Sequence, residues 1–206
     1  YYDIISMSYL FLSCTEIYSI ESRFINSILE NIIIKSTSIL DYLSKFVFEV
    51  ENVPKVFNNY PKRKSLDYNH GKTKLDEKNK ELRINWTEKD RMNTIFDENN
   101  ENIFILKRLR NQIIHDGFLD VDNTIYENKI NGILKERFIL MPDFEGKNFT
   151  KYKSRKLFYS QDKKINLELP KLIENLLDTT HQTLNVLLKK YWFDEMSENF
   201  TLTLQN

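Results

Sequence analysis

Residues 107–117, KRLRNQIIHDG, gather Lys107, Arg108, Arg110, Asn111, His115 and Asp116 into fewer than three turns of apparent helix, then stop at a glycine. An imidazole changes protonation near neutral pH, so His115 can take or give a proton. Guanidiniums bind phosphate through paired N–H donors. Asn111 and His115 are four apart, so their side chains meet on one helix flank, and Arg108 lies about two turns back on it. Together they make a titratable base with phosphate clamps and no metal-ligand set. The same residues also read as capping: cations in the last turns complement the helix dipole, and Asp116-Gly117 is ordinary termination chemistry.

Arg110 stands apart from the others. At 100° per residue, Ile103, Leu106, Arg110 and Ile113 fall on one line with Phe104 and Leu109 beside it, so Arg110 lies in the apolar stripe. A guanidinium there needs a carboxylate or a phosphate, because an unpaired buried charge is very costly. Glu16 and Glu21, on the first helical segment, are candidate partners; Glu21 shares the stripe of Ile17, Phe24 and Ile28.

The rest of the chain offers few rivals. GKNFTKYKSRKLFY interleaves Lys147, Lys151, Lys153, Arg155 and Lys156 with Phe149, Tyr152, Phe158 and Tyr159. Cations for phosphates and rings for stacking suit single-stranded RNA, and Lys151, Tyr152, Lys153, Arg155 and Lys156 are the candidate contacts. An edge strand kept soluble by lysines has the same composition. His70 reads as a solvated loop histidine, and His181, on the polar face of the last helix, as exposed or hydrogen-bonded to a neighbour. Neither pairs with carboxylates at ligand spacing, so neither a metal site nor a cofactor is expected. Lys and Arg total 30 and Asp and Glu total 30, so no global field attracts a polyanion, and any RNA contact must come from local patches.

These groups need elements to position them. Four glycines and four prolines in 206 residues favour long regular elements over a multi-turn sandwich or barrel. From Tyr9 to about Val50, Leu10, Cys14, Ile17, Phe24, Ile28, Ile32, Ile39, Leu43, Phe46 and Val50 recur at helical spacing, widened by Ile25, Leu29, Ile33, Leu40 and Val47. This predicts one very long helix or two stacked ones, with a bend at KSTS, residues 35–38. Residues 51–86 show no sustained period and read as a long, partly mobile connection. TEKD predicts a helix start near Thr87; another helix covers about 100–115 and ends at Gly117. In the insertion at 118–166, GILKERFILMPDF and RKLFYS suggest a small β-hairpin or meander. The final helix places Pro170 in its first turn, with Leu169, Leu172, Ile173, Leu176, Leu177, Leu184, Leu187, Leu188 and Tyr191 on one face. The expected architecture is a single mainly α domain, an antiparallel bundle of long helices with a small irregular or β insertion before the last one.

Cys14 is the one cysteine and lies in an apolar register, as a small buried hydrophobe would. It suits a reducing cytoplasm. The opening YYDIISMSYLFLSC has no basic start and carries Asp3, unlike a secretion signal. No apolar run reaches membrane-spanning length. The chain begins without methionine, as a piece of a longer protein would.

RNQIIH resembles the Arg-Asn-x-x-x-His motif of the HEPN superfamily, helical domains found in RNA-cleaving toxins and antiviral effectors. The resemblance rests on this one motif and a compatible order of helices. It implies that His115 is the general base, Arg110 the phosphate-stabilising arginine and Asn111 an orienting group; by their positions Glu21, Arg108 and Asp116 are candidate supporting residues. It also implies a homodimer whose two motifs share one composite cleft, RNA as substrate, and an antitoxin or upstream sensor domain as regulator. One subfamily has a tyrosine two residues past the histidine that an antitoxin partner modifies. Gly117 stands there in this chain, which puts that route of control in doubt.

The implied activity is a metal-independent endoribonuclease. Two alternatives are a non-catalytic HEPN-like module that binds a nucleotide or partner protein, and a structural helical domain with Arg110 bridged to Glu21.

Overall fold

The computed structural model describes residues 2–16, 22–52, 86–116, 124–145, 148–150, 157–159 and 163–191. These residues are mainly α. The helices are α1 (Tyr2–Glu16), α2 (Ser22–Asn52), α3 (Glu88–Arg91), α4 (Glu101–Asp116) and α5 (Ile165–Tyr191). Between α4 and α5 lie two small antiparallel pairs, β1 (Ile125–Ile130) with β2 (Ile133–Ile139) and β3 (Phe144–Glu145) with β4 (Asn148–Phe149). The β insertion before the last helix is therefore present, and Phe158 of RKLFYS joins it through backbone bonds with Asp143 and Thr150. The chain divides into two compact units, Tyr1–Ile39 with Asn100–Leu176, and Leu40–Asn99 with Leu177–Asn206.

In the first unit, Ile4, Phe11 and Cys14 of α1 are buried, as are Ile25, Ile28, Leu29, Ile32 and Ile33 of α2. The β1–β2 hairpin turns at Asn131-Gly132, where both residues have positive φ (52° and 77°). That is the two-residue type I′ geometry whose twist matches paired strands, and Asn-Gly tolerates it best. Tyr126 stacks on its cross-strand partner Phe138 with ring centroids 5.7 Å apart. The far end of β2 is tied down by Asn166. Its Oδ1 accepts from the Ile139 N–H at 3.0 Å, and its Nδ2 donates to Thr15 Oγ1 of α1 at 3.1 Å.

The second unit is organised around a buried carboxylate. The Glu51 side chain is 3% exposed. Trp86 Nε1 donates to its Oε1 at 2.6 Å, and Lys190 Nζ lies 3.0 Å from the same oxygen. Trp86 in turn meets the Phe96 ring edge-on, centroids 5.2 Å apart. Burial raises the Tyr191 phenol above its ordinary range, and the hydrogen bond and negative charge of Glu51 push the same way. A group whose folded pKa is raised contributes stability that is intact below its unfolded value, here about 10, and lost as pH rises through the folded one. Urea unfolding free energy should therefore fall above about pH 10. The difference between wild type and Tyr191→Phe isolates this part of the slope from the other tyrosines. Identical slopes in both proteins would refute the coupling.

Several sequence expectations need correction. α2 runs through KSTS as continuous helix, with Thr37 Oγ1 donating to the Ile33 carbonyl at 2.9 Å and Ser38 Oγ to that of Ile34 at 2.8 Å. These hydroxyls are satisfied inside the helix. The first described helix ends at Glu16 and α2 begins at Ser22, and residues 17–21 lie outside the described residues. Of the predicted stripe, Cys14, Ile28, Ile32 and Leu43 are buried, as are the widening residues Ile25, Leu29, Ile33, Leu40 and Val47, whereas Leu10, Phe24 and Phe46 are exposed.

The Thr87 capping box forms with Asp90, but α3 lasts one turn. Asn93 then takes a positive φ, and Ile95 and Phe96 enter the core, with the Ile95 N–H donating to Thr183 Oγ1 at 3.0 Å. Pro170 is not in the first turn, since α5 begins five residues earlier. Burial of Ile165 and Leu169, one turn apart, offsets the backbone bond the proline cannot make. On the same helix Leu188 is exposed and Leu177, Leu184 and Tyr191 are half-buried, so the apolar face is narrower than its sequence. Of the long connection, α2 takes residues 51 and 52 and Trp86 is anchored in the core; residues 53–85 lie outside the described residues.

Candidate active site

α4 carries the motif. Asn100 starts it by accepting the Ile103 N–H on Oδ1 at 3.2 Å, and Glu101 sits in the first turn against the positive end of the dipole. Ile103, Leu106, Leu109 and Ile113 are buried, each worth about 1.5–3 kcal/mol relative to exposure. That burial fixes the rotation of the helix, and hence where every polar side chain points.

His115 lies exposed in the last turn, with Asn111 half-buried one turn earlier. Residues four apart differ by about 40° around a helix and residues seven apart by about 20°, so Arg108, Asn111 and His115 share one flank. The Arg108 guanidinium carbon sits 5.0 Å from the centroid of the Phe104 ring, a cation–π contact that holds its planar head against the helix. Arg110 is half-buried, with Nε withdrawn from solvent. Residues five apart differ by about 140°, so Arg110 and His115 point to different sides of α4. One copy of the helix does not bring both onto one face.

Asp116 is exposed and accepts a hydrogen bond from Gln112 Nε2. Glu21, Gly117 and the candidate RNA contacts Lys151, Tyr152, Lys153, Arg155 and Lys156 lie outside the described residues, as does His70. The Glu16 side chain also lies outside them, whereas His181 is exposed, as its place on the helix predicts.

Two features escaped sequence reasoning. One is Phe104 beneath Arg108, for which the four-residue spacing was an available signal. The other is the Glu51, Trp86, Lys190 and Tyr191 cluster, whose members come from distant parts of the sequence. A cleft of about 510 Å³, lined by residues of 88–99 including Lys89, Arg91, Asp97 and Glu98, belongs to the second unit and involves none of the motif residues. Among the described residues, no three His, Cys, Asp or Glu side chains gather to hold a metal ion, and no helix is long and apolar enough to cross a membrane.

No family model, no curated protein and no solved structure matches this chain.

Proposed function

We propose that the chain is a metal-independent endoribonuclease of the HEPN type, acting as a homodimer in a cytoplasmic toxin or antiviral setting under an antitoxin or sensor domain. The observation that carries the reading is an exposed imidazole on the last turn of α4, with Asn111 one turn behind it and Arg108 on the same flank. The inward rotation of Arg110 supports the dimeric form: a cleft built from two copies supplies groups that one helix presents on different sides.

The chemistry follows from those groups. Neutral His115 takes the proton of a ribose 2′-hydroxyl, and the 2′-oxygen attacks the adjacent phosphorus. Guanidinium N–H donors stabilise the charge that builds on the phosphoryl oxygens. The bond from phosphorus to the 5′-oxygen breaks, and that oxygen takes a proton from solvent. The products are a 2′,3′-cyclic phosphate and a 5′-hydroxyl.

Incubation with mixed cellular RNA in excess EDTA tests this directly. Fragments should carry cyclic phosphate and 5′-hydroxyl ends, and DNA, having no 2′-hydroxyl, should stay intact. RNA left whole by the dimeric protein would favour the second reading, a non-catalytic module that binds a nucleotide or a partner protein. That reading draws on the same angular separation of Arg110 from His115.

A further inference from the structure

α1 is apolar on two opposite faces. Ile4, Phe11 and Cys14 are buried on one. On the other, Tyr2 is 88% exposed, Tyr9 69% and Ile5 38%, with Leu12 half-buried and Ser6 and Ser13 open beside them. Positions 2, 5, 9 and 12 are separated by three, four and three residues, the a/d spacing of two heptads. Single exposed apolar residues are ordinary, but an aligned row of two tyrosines, an isoleucine and a leucine marks an interaction surface.

We propose that a second copy of this chain covers this face, α1 packing antiparallel against α1 about a two-fold axis. Heptad spacing fits a facing helix rather than a flat surface. α1 has no Lys or Arg in its sequence, so it lacks the basic rim that holds an interfacial helix on an anionic membrane. A two-fold contact places a surface against itself, and this seam carries no carboxylate or ammonium that would meet its own charge. An antiparallel register sets Tyr2 opposite Leu12 and Ile5 opposite Tyr9, ring against aliphatic chain, with Ser6 and Ser13 leaving room for the rings. The seam offers on the order of 400 Å² per copy, about half a standard interface. The dimer is therefore weak, with a dissociation constant in the micromolar range. The composite cleft needs a second copy, and in that link the seam rests on the endoribonuclease reading. The interface itself is tested without RNA.

Sedimentation of the full chain from about 1 to about 100 µM should show wild type passing from monomer to dimer. Tyr9→Glu should shift that transition at least tenfold upward, and Tyr9→Phe should leave it in place. Because Tyr9 is exposed, circular dichroism of the dilute variant should match wild type; Ile5→Lys repeats the test at a second seam position. Wild type that stays monomeric throughout, or a dimer indifferent to both charged variants, overturns the proposal. So does a monomer that binds neutral phosphatidylcholine vesicles, which assigns the face to lipid. A monomeric Tyr9→Glu that cleaves RNA at the wild-type rate per chain refutes the composite cleft but not the seam. A cleaving dimer indifferent to Tyr9→Glu refutes the seam but not the nuclease.

Discussion

Replacing His115 with alanine should lower single-turnover RNA cleavage by on the order of a thousandfold while leaving thermal unfolding unchanged. A positioned general base contributes about 10²–10⁴ in rate. His115 is exposed on the final turn of α4, and surface substitutions away from special features stay within about 0.5 kcal/mol. Rate and stability therefore separate cleanly at this position, and a variant that still cuts at the wild-type rate would end the His115 assignment. Arg110 makes the instructive contrast because it is half-buried in the apolar stripe. If it stabilises the phosphoryl charge, Arg110→Lys keeps the charge but loses the planar fork, and cleavage should fall steeply at near-native stability. A large drop in melting temperature with little change in rate would make Arg110 a structural bridge instead.

The largest stability effect should come from Glu51→Ala, with a loss on the order of 3 kcal/mol in urea unfolding and an unchanged denaturant slope. The Glu51 carboxylate is 3% exposed and holds Trp86 and Lys190 at once. Removing it strands the indole N–H without its acceptor and takes the buried carboxylate from Lys190. Lys190→Met should also be costly, because it leaves the 3%-exposed carboxylate with its indole donor but no counter-charge. Fluorescence of Trp86 and Trp192 reports the transition. A shift below about 1 kcal/mol in Glu51→Ala would mean that the second unit is held by apolar packing alone.

Much of the local structure was legible from residue order. The start of α4 at Asn100, the Thr87–Asp90 cap, the burial of Cys14 and the hairpin before the last helix each follow from interactions within a few residues, which composition and spacing record. The angular place of Arg110 in the stripe was legible for the same reason, since 3.6 residues per turn is a property of the backbone. The turn at Asn131-Gly132 was equally local, and went unread although Asn-Gly between alternating strands is a strong hairpin signal.

Other features were decided only when distant segments met. α1 is apolar nearly all round, so periodicity alone does not say that Phe11 turns inward and Tyr9 outward. α2 has apolar residues wide enough to permit several rotations, and packing chose Ile25, Leu29 and Ile33 over Phe24. Pro170 became an interior residue because Ile165 and Leu169 gained more by burial than one backbone bond was worth. The carboxylate of Glu51 found its indole 35 residues away and its ammonium 139 residues away, separations at which sequence carries no geometric information. Short-range order thus placed the motif at the end of α4, and long-range packing chose which way its side chains face.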